Sequence, residues 1–162
     1  MFEIRGIAMK LAEALILRAD LQKRIEQLRQ RLIRNAKVQE REEPTEDPQV
    51  LLAEFNDAAS QLRDLVQRIN RTNSSTALDG QPDMTVADAI ALRDSLRLSF
   101  SVYSSLCEAA TVEQNRYSRS EIKFVPAIDV RTVRRQTDEY AVQHRQLDAQ
   151  IQATNWLVDL VD

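Results

Sequence analysis

From Met9 to about Val38, apolar residues fall at Leu11, Ala14, Leu21, Ile25, Leu28 and Leu32, and Arg18 takes a polar place in the same seam. Their steps alternate between three and four, which sets the side chains along one stripe of an α-helix. A long helix is therefore predicted over residues 9–38. Leu15, Leu17 and Ile33 lie beside the stripe and widen it, which suits a bundle better than a bare two-stranded coil. Residues 39–47, QEREEPTED, carry no apolar side chain and end on Asp47-Pro48. Asp caps helix starts well and Pro suits the first helical position. A second helix follows over 48–71, with Leu51, Leu52, Phe55, Ala58, Leu62, Leu65 and Ile69 on its stripe. The short connection predicts that the two form an antiparallel hairpin.

Beyond Arg71 the pattern fades into Thr72–Thr76 and Leu78–Asp83, whose Thr, Ser, Asn, Asp, Gly and Pro residues predict a loop. Thr85-Val86-Ala87-Asp88 reads as a capping box with Asp in place of Glu, opening a third helix over about 85–112. Its stripe holds Val86, Ala89, Ile90, Leu96, Phe100, Tyr103, Cys107 and Ala110. The rhythm breaks between Val112 and Ile128, where Ile122–Pro126 alternates like a short extended piece. Asp129 then caps a fourth helix over 129–161 with the seam Val130, Val133, Thr137, Tyr140, His144, Leu147, Ile151, Thr154 and Val158. Trp156, Leu157 and Leu160 add a second apolar edge.

The fold class that follows is all-α: long antiparallel hairpins or a four-helix, coiled-coil-like bundle, with at most one short extended segment near 121–126. A single domain is expected over 9–162, and residues 1–8, which hold Gly6, read as an extension from an upstream start or an expression remnant. Arg18, Asn35, Thr137 and His144 stand at seam positions where Leu would be ordinary. Such residues either fix register at a cost in stability or snorkel to solvent.

Composition agrees with long helices, since 2 Gly and 4 Pro in 162 residues leave little material for sheet turns. A net charge of −3 gives no support to generic nucleic-acid binding. Positive charge is mostly Arg, which reflects either recognition of carboxylates and phosphates or a GC-rich genome. Cys107 is the only cysteine, so no intrachain disulfide exists and a reducing, cytoplasmic setting is expected. The N-terminal stretch makes a poor secretory signal, and no run approaches the length of a transmembrane helix.

Candidate chemistry is sparse. His144 and Cys107 are unique and both lie on apolar stripes, so no metal set is expected. Glycine occurs only at Gly6 and Gly80, which leaves no phosphate-cradling loop, and no nucleophile elbow is present. No catalytic residue and no cofactor is predicted. Two Arg-bearing segments offer an anion or nucleic-acid surface: Arg68, Asn70, Arg71 and Asn73 in one, and Arg116, Tyr117, Arg119 and Lys123 in the other. Guanidinium forks, amides and an aromatic face suit phosphate or single-stranded RNA. The plainer reading has these residues capping helix ends and pairing with carboxylates such as Glu121 and Asp129. Self-association is expected through Leu21, Ile25, Leu28 and Leu32, and through Tyr140, Leu147, Ile151, Trp156 and Leu157, giving a homo-oligomer from dimer up to hexamer.

The stretch MKLAEALILRADLQKRIEQLRQRL at 9–32, INRTN at 69–73, RYSRSEIKF at 116–124 and the closing Asn155-Trp156 resemble a septicolysin-like family of small bacterial proteins. The resemblance runs from Met9 to the end and implies an α-helical, oligomeric cytoplasmic protein of unassigned function. Its label suggests a cytolysin, although no residue here supports secretion or membrane insertion. The leading expectation is a non-enzymatic, self-associating structural protein, and the alternative is an accessory binder of RNA or a phosphometabolite.

Overall fold

The structure, a computed structural model, describes residues 9–111 and 125–162. Four helices and one hairpin follow in the order α1 (Leu11–Arg34), α2 (Pro48–Ser75), β1 (Ala77–Leu78), β2 (Gln81–Thr85), α3 (Val86–Ala110) and α4 (Val130–Leu157). The all-α class read from the heptads is the one observed. The described residues form two compact units, one of residues 9–76 with 153–162 and one of residues 77–111 with 125–152.

In the first unit α1 and α2 pack antiparallel. Leu11, Ala14 and Leu21 at the start of α1 meet Leu65 and Ile69 near the end of α2. Leu28 at the other end meets Leu51 and Ala58, with Ile25, Leu32 and Phe55 against them. Asp47 opens α2 as its spacing predicted, accepting the Gln49 N–H at 2.8 Å. Asn35, expected in the seam, instead closes α1: its Nδ2 donates to the Arg31 carbonyl and its Oδ1 accepts the Glu46 N–H. Arg31 and Glu46 pair beside it, so the acidic connector is tied back to the helix it leaves.

The end of α2 departs from expectation for a reason visible in its hydroxyls. Thr72, Ser74 and Ser75 donate to the carbonyls of Arg68, Asn70 and Arg71, four residues back. Bonded in this way, the hydroxyls are satisfied inside the helix and do not draw the backbone into a turn, and the helix runs on to Ser75. At the other terminus, α4 stops at Leu157 and the chain continues extended. Leu11 N–H donates to the Val158 carbonyl at 2.9 Å and Leu160 N–H to that of Met9 at 2.7 Å. This short antiparallel bridge seats the Leu160 side chain, 7% exposed, in the α1–α2 core.

The second unit begins with a hairpin, where the run of polar and turn-forming residues predicts a loop. β1 and β2 are antiparallel and joined through Asp79-Gly80, with Gly80 at φ +76°. Positive φ is easy for glycine, and Asp-Gly is a common two-residue hairpin turn. The extended segment expected near 121–126 lies outside the described residues up to Phe124, while Val125 and Pro126 have no regular structure. The capping box opens α3 as predicted: Thr85 Oγ1 accepts the Asp88 N–H at 3.1 Å, and Asp88 accepts from Thr85. Leu78, Ala89 and Leu96 form a core with Leu147 and Ile151 of α4. Further along, Tyr103 meets Tyr140 edge-on with ring centroids 5.1 Å apart, and Cys107 Sγ lies 3.9 Å from Thr137 Oγ1. Rising numbers on α3 thus meet falling numbers on α4, so this pair is antiparallel too. Thr137, buried in the seam, also donates to the Val133 carbonyl at 2.9 Å, so this polar seam residue is satisfied within its own helix.

Candidate functional site

The first Arg-bearing segment is a structural clamp. Arg68 Nε donates to the Val161 carbonyl at 3.1 Å, and its guanidinium pairs with Asp162 at 3.0 Å. Thr72, fully buried, accepts the Val161 N–H at 3.1 Å while its own hydroxyl donates back to Arg68. One turn of α2 therefore holds Val161 and Asp162 through three polar contacts. Asn70 and Arg71 are exposed and Asn73 is half-buried. Arg116, Tyr117, Arg119 and Lys123 lie outside the described residues. The first half of the expected anion surface is thus accounted for, at Arg68, by packing within the chain.

The residues expected to drive self-association divide in a similar way. Leu21 and Leu28 are buried between α1 and α2, and Ile25 and Leu32 pack against the same core. Leu147 and Ile151 are buried in the second unit with Tyr140 beside them. Trp156 and Leu157 stay open, at 56% and 62% exposure. The seam that looked available to another copy is largely consumed by the chain's own hairpins.

A different apolar surface emerges on α3. Leu92, Leu98, Val102 and Leu106 are all at least two-fifths exposed. At about 100° per residue Leu98, Val102 and Leu106 share a side of the helix turned away from Ala89 and Leu96, while Leu92 lies at the edge of the packed face. No charged residue occurs from Leu98 to Cys107. The sequence carries this signal as a second three–four rhythm at Ala91, Ser95, Leu98, Val102, Ser105 and Ala109.

Electrostatic perturbations are those of caps and surface pairs. Hydrogen bonds from Thr85 hold the Asp88 carboxyl below its ordinary range, and those from Thr132 do the same for Asp129. Arg31 lowers Glu46 in the same direction, and Gln30 with Arg29 lowers Glu26. Contact with Tyr103 raises the Tyr140 phenol. Arg18 leaves its Nε buried without a hydrogen-bond partner among the described residues. Among those residues no three His, Cys, Asp or Glu side chains gather as a metal site, and no helix is long and apolar enough to cross a membrane.

Comparison with known proteins corrects the family resemblance. A solved crystal structure described as a functionally unknown conserved protein from Corynebacterium diphtheriae is 45% identical, with a TM-score of 0.88. The match covers 96% of this chain and 100% of that one. No curated protein matches. Residues 18–160 match the model of a family of unknown function (DUF6847). Neither finding has a septicolysin link, so the shared heptads and short motifs had pointed to the wrong family. Heptad repeats bring many unrelated helical sequences close to one another, which weakens them as family markers. The chain belongs to this family of unknown function, DUF6847.

Proposed function

We propose that the chain is a non-enzymatic cytoplasmic interaction protein that associates with copies of itself, in assemblies from dimer up to hexamer. The observation that carries the reading is the exposed, uncharged side of α3, where Leu98 and Val102 are 66% and 56% exposed. Contiguous apolar surface of this kind marks interaction sites in soluble proteins. A patch without charge has nothing to repel an identical patch, which suits the self-complementary contact of a symmetric dimer. The alternative, RNA or a phosphometabolite held by Arg68, Arg71, Arg116 and Arg119, draws no support from Arg68, whose guanidinium is engaged by Val161 and Asp162.

Light scattering on the full chain at micromolar concentration tests the proposal. The expected mass is a small multiple of 18.6 kDa. Leu98→Glu combined with Val102→Glu should return a monomer with unchanged helical circular dichroism. A wild-type mass of 18.6 kDa sinks the reading.

A further inference from the structure

We infer that the second unit holds a binding groove for a flat-ringed organic anion, between α3 and α4 on the opposite flank of α3 from Leu98 and Val102. The groove is about 300 Å³ and is lined by Arg97, Phe100, Ala141, His144 and Arg145. That volume is at the small end of ligand sites and matches a single ring with an anionic group.

The contrast between neighbouring arginines is the central observation. One turn before Arg97, Arg93 reaches across to Asp148 at 3.2 Å and also pairs with Asp94 at 3.2 Å. Arg97 and Arg145 have no hydrogen bond or ion pair among the described residues, and neither does His144. No Asp or Glu lines the groove. Two guanidiniums therefore flank one cavity with their donors unused, and a guanidinium fork matches the oxygens of a carboxylate or phosphate. Ala141, which also lines the groove, presents only a methyl group. Phe100, which the heptad placed in the core, is 39% exposed and forms a wall of the groove. An aromatic face beside two cations suits a ligand that is apolar and planar at one end and anionic at the other. Half-buried His144 adds a ring nitrogen as a further polar group. Two sources share this chemistry, an aromatic carboxylate and a nucleoside monophosphate.

Isothermal titration of the full chain at low salt with salicylate, adenosine monophosphate and inorganic phosphate tests the assignment. Saturable binding of salicylate or of the nucleotide is expected, with phosphate alone at least about tenfold weaker because it lacks the ring. The tighter of the two ringed probes identifies the source. Arg97→Gln with Arg145→Gln should weaken the ringed anion about tenfold or more, since each lost contact is a charge-assisted hydrogen bond. Both side chains are exposed, so the fold should survive the change, and circular dichroism confirms it. Phe100→Ala should weaken the ringed probes and leave phosphate unchanged, while Arg71→Gln should alter nothing. Absence of saturable binding by either ringed probe overturns the inference. So does an affinity that the Arg97 and Arg145 substitutions leave intact, or phosphate binding as tight as that of the ringed anions.

Discussion

Thr72 ties the last turns of α2 to the segment that follows α4. In the sequence it opens a polar run that reads as loop. In the fold it is buried, its hydroxyl accepting the Val161 N–H and donating to the Arg68 carbonyl. Thr72→Val keeps the shape and removes both bonds, leaving a part-buried N–H without its acceptor. A loss of about 1–3 kcal/mol in urea unfolding is expected, the usual cost of an unsatisfied buried polar group. A loss under about 0.5 kcal/mol contradicts this account, because surface substitutions alone stay within that range. Arg68 belongs to the same clamp, which is why its chemistry, legible as a phosphate fork, turns out to serve packing. The residue type was readable. Its partner, 94 positions away in the chain, was not.

At the scale of elements, the caps were the most legible features. Asp47, Thr85 with Asp88, and Asp129 each bond the backbone of the first turn that follows them, as their local spacing requires. Hydrogen bonds of that kind span two or three residues, so sequence alone specifies them. The hairpin was less legible because β1 is only two residues long, too short for alternation to register in the sequence. Its turn depends on Gly80 at φ +76°, where nothing lies within 4 Å of an added Cβ. Gly80→Ala should therefore cost backbone energy only, about 1 kcal/mol by thermal unfolding. Gly80→Asn should cost less, since asparagine tolerates that conformation better. Equal losses for the two would contradict the backbone argument. The α3 surface is similar, because two overlapping three–four rhythms run along one helix, Val86–Ala110. Only burial separates the seam turned inward from the one left open.

For the molecule as a whole, the lowered carboxyls of Glu26, Glu46, Asp88 and Asp129 imply a direction for acid sensitivity. Each binds a proton less readily folded than unfolded, so in the acid range the unfolded chain takes up more protons and stability rises with pH. Their contribution is complete above the ordinary carboxylate range and is lost as pH falls through the depressed folded values. The urea midpoint should be flat from neutrality to about pH 5 and decline below about pH 4.5. Asp88→Asn with Asp129→Asn should shallow that decline, and a midpoint indifferent to acid would refute the assignment. By itself, the sequence determined the four helices, the caps that open three of them and the antiparallel pairing of the first two, because three–four periodicity, caps and a short connector act over a few residues. Tertiary structure decided which apolar stripes are used up within the chain. It also decided that Arg68 and Thr72 clamp the segment after α4, and that Arg97 and Arg145 flank a groove without partners. Those outcomes depend on which distant side chains meet, and no local pattern encodes a meeting of that kind.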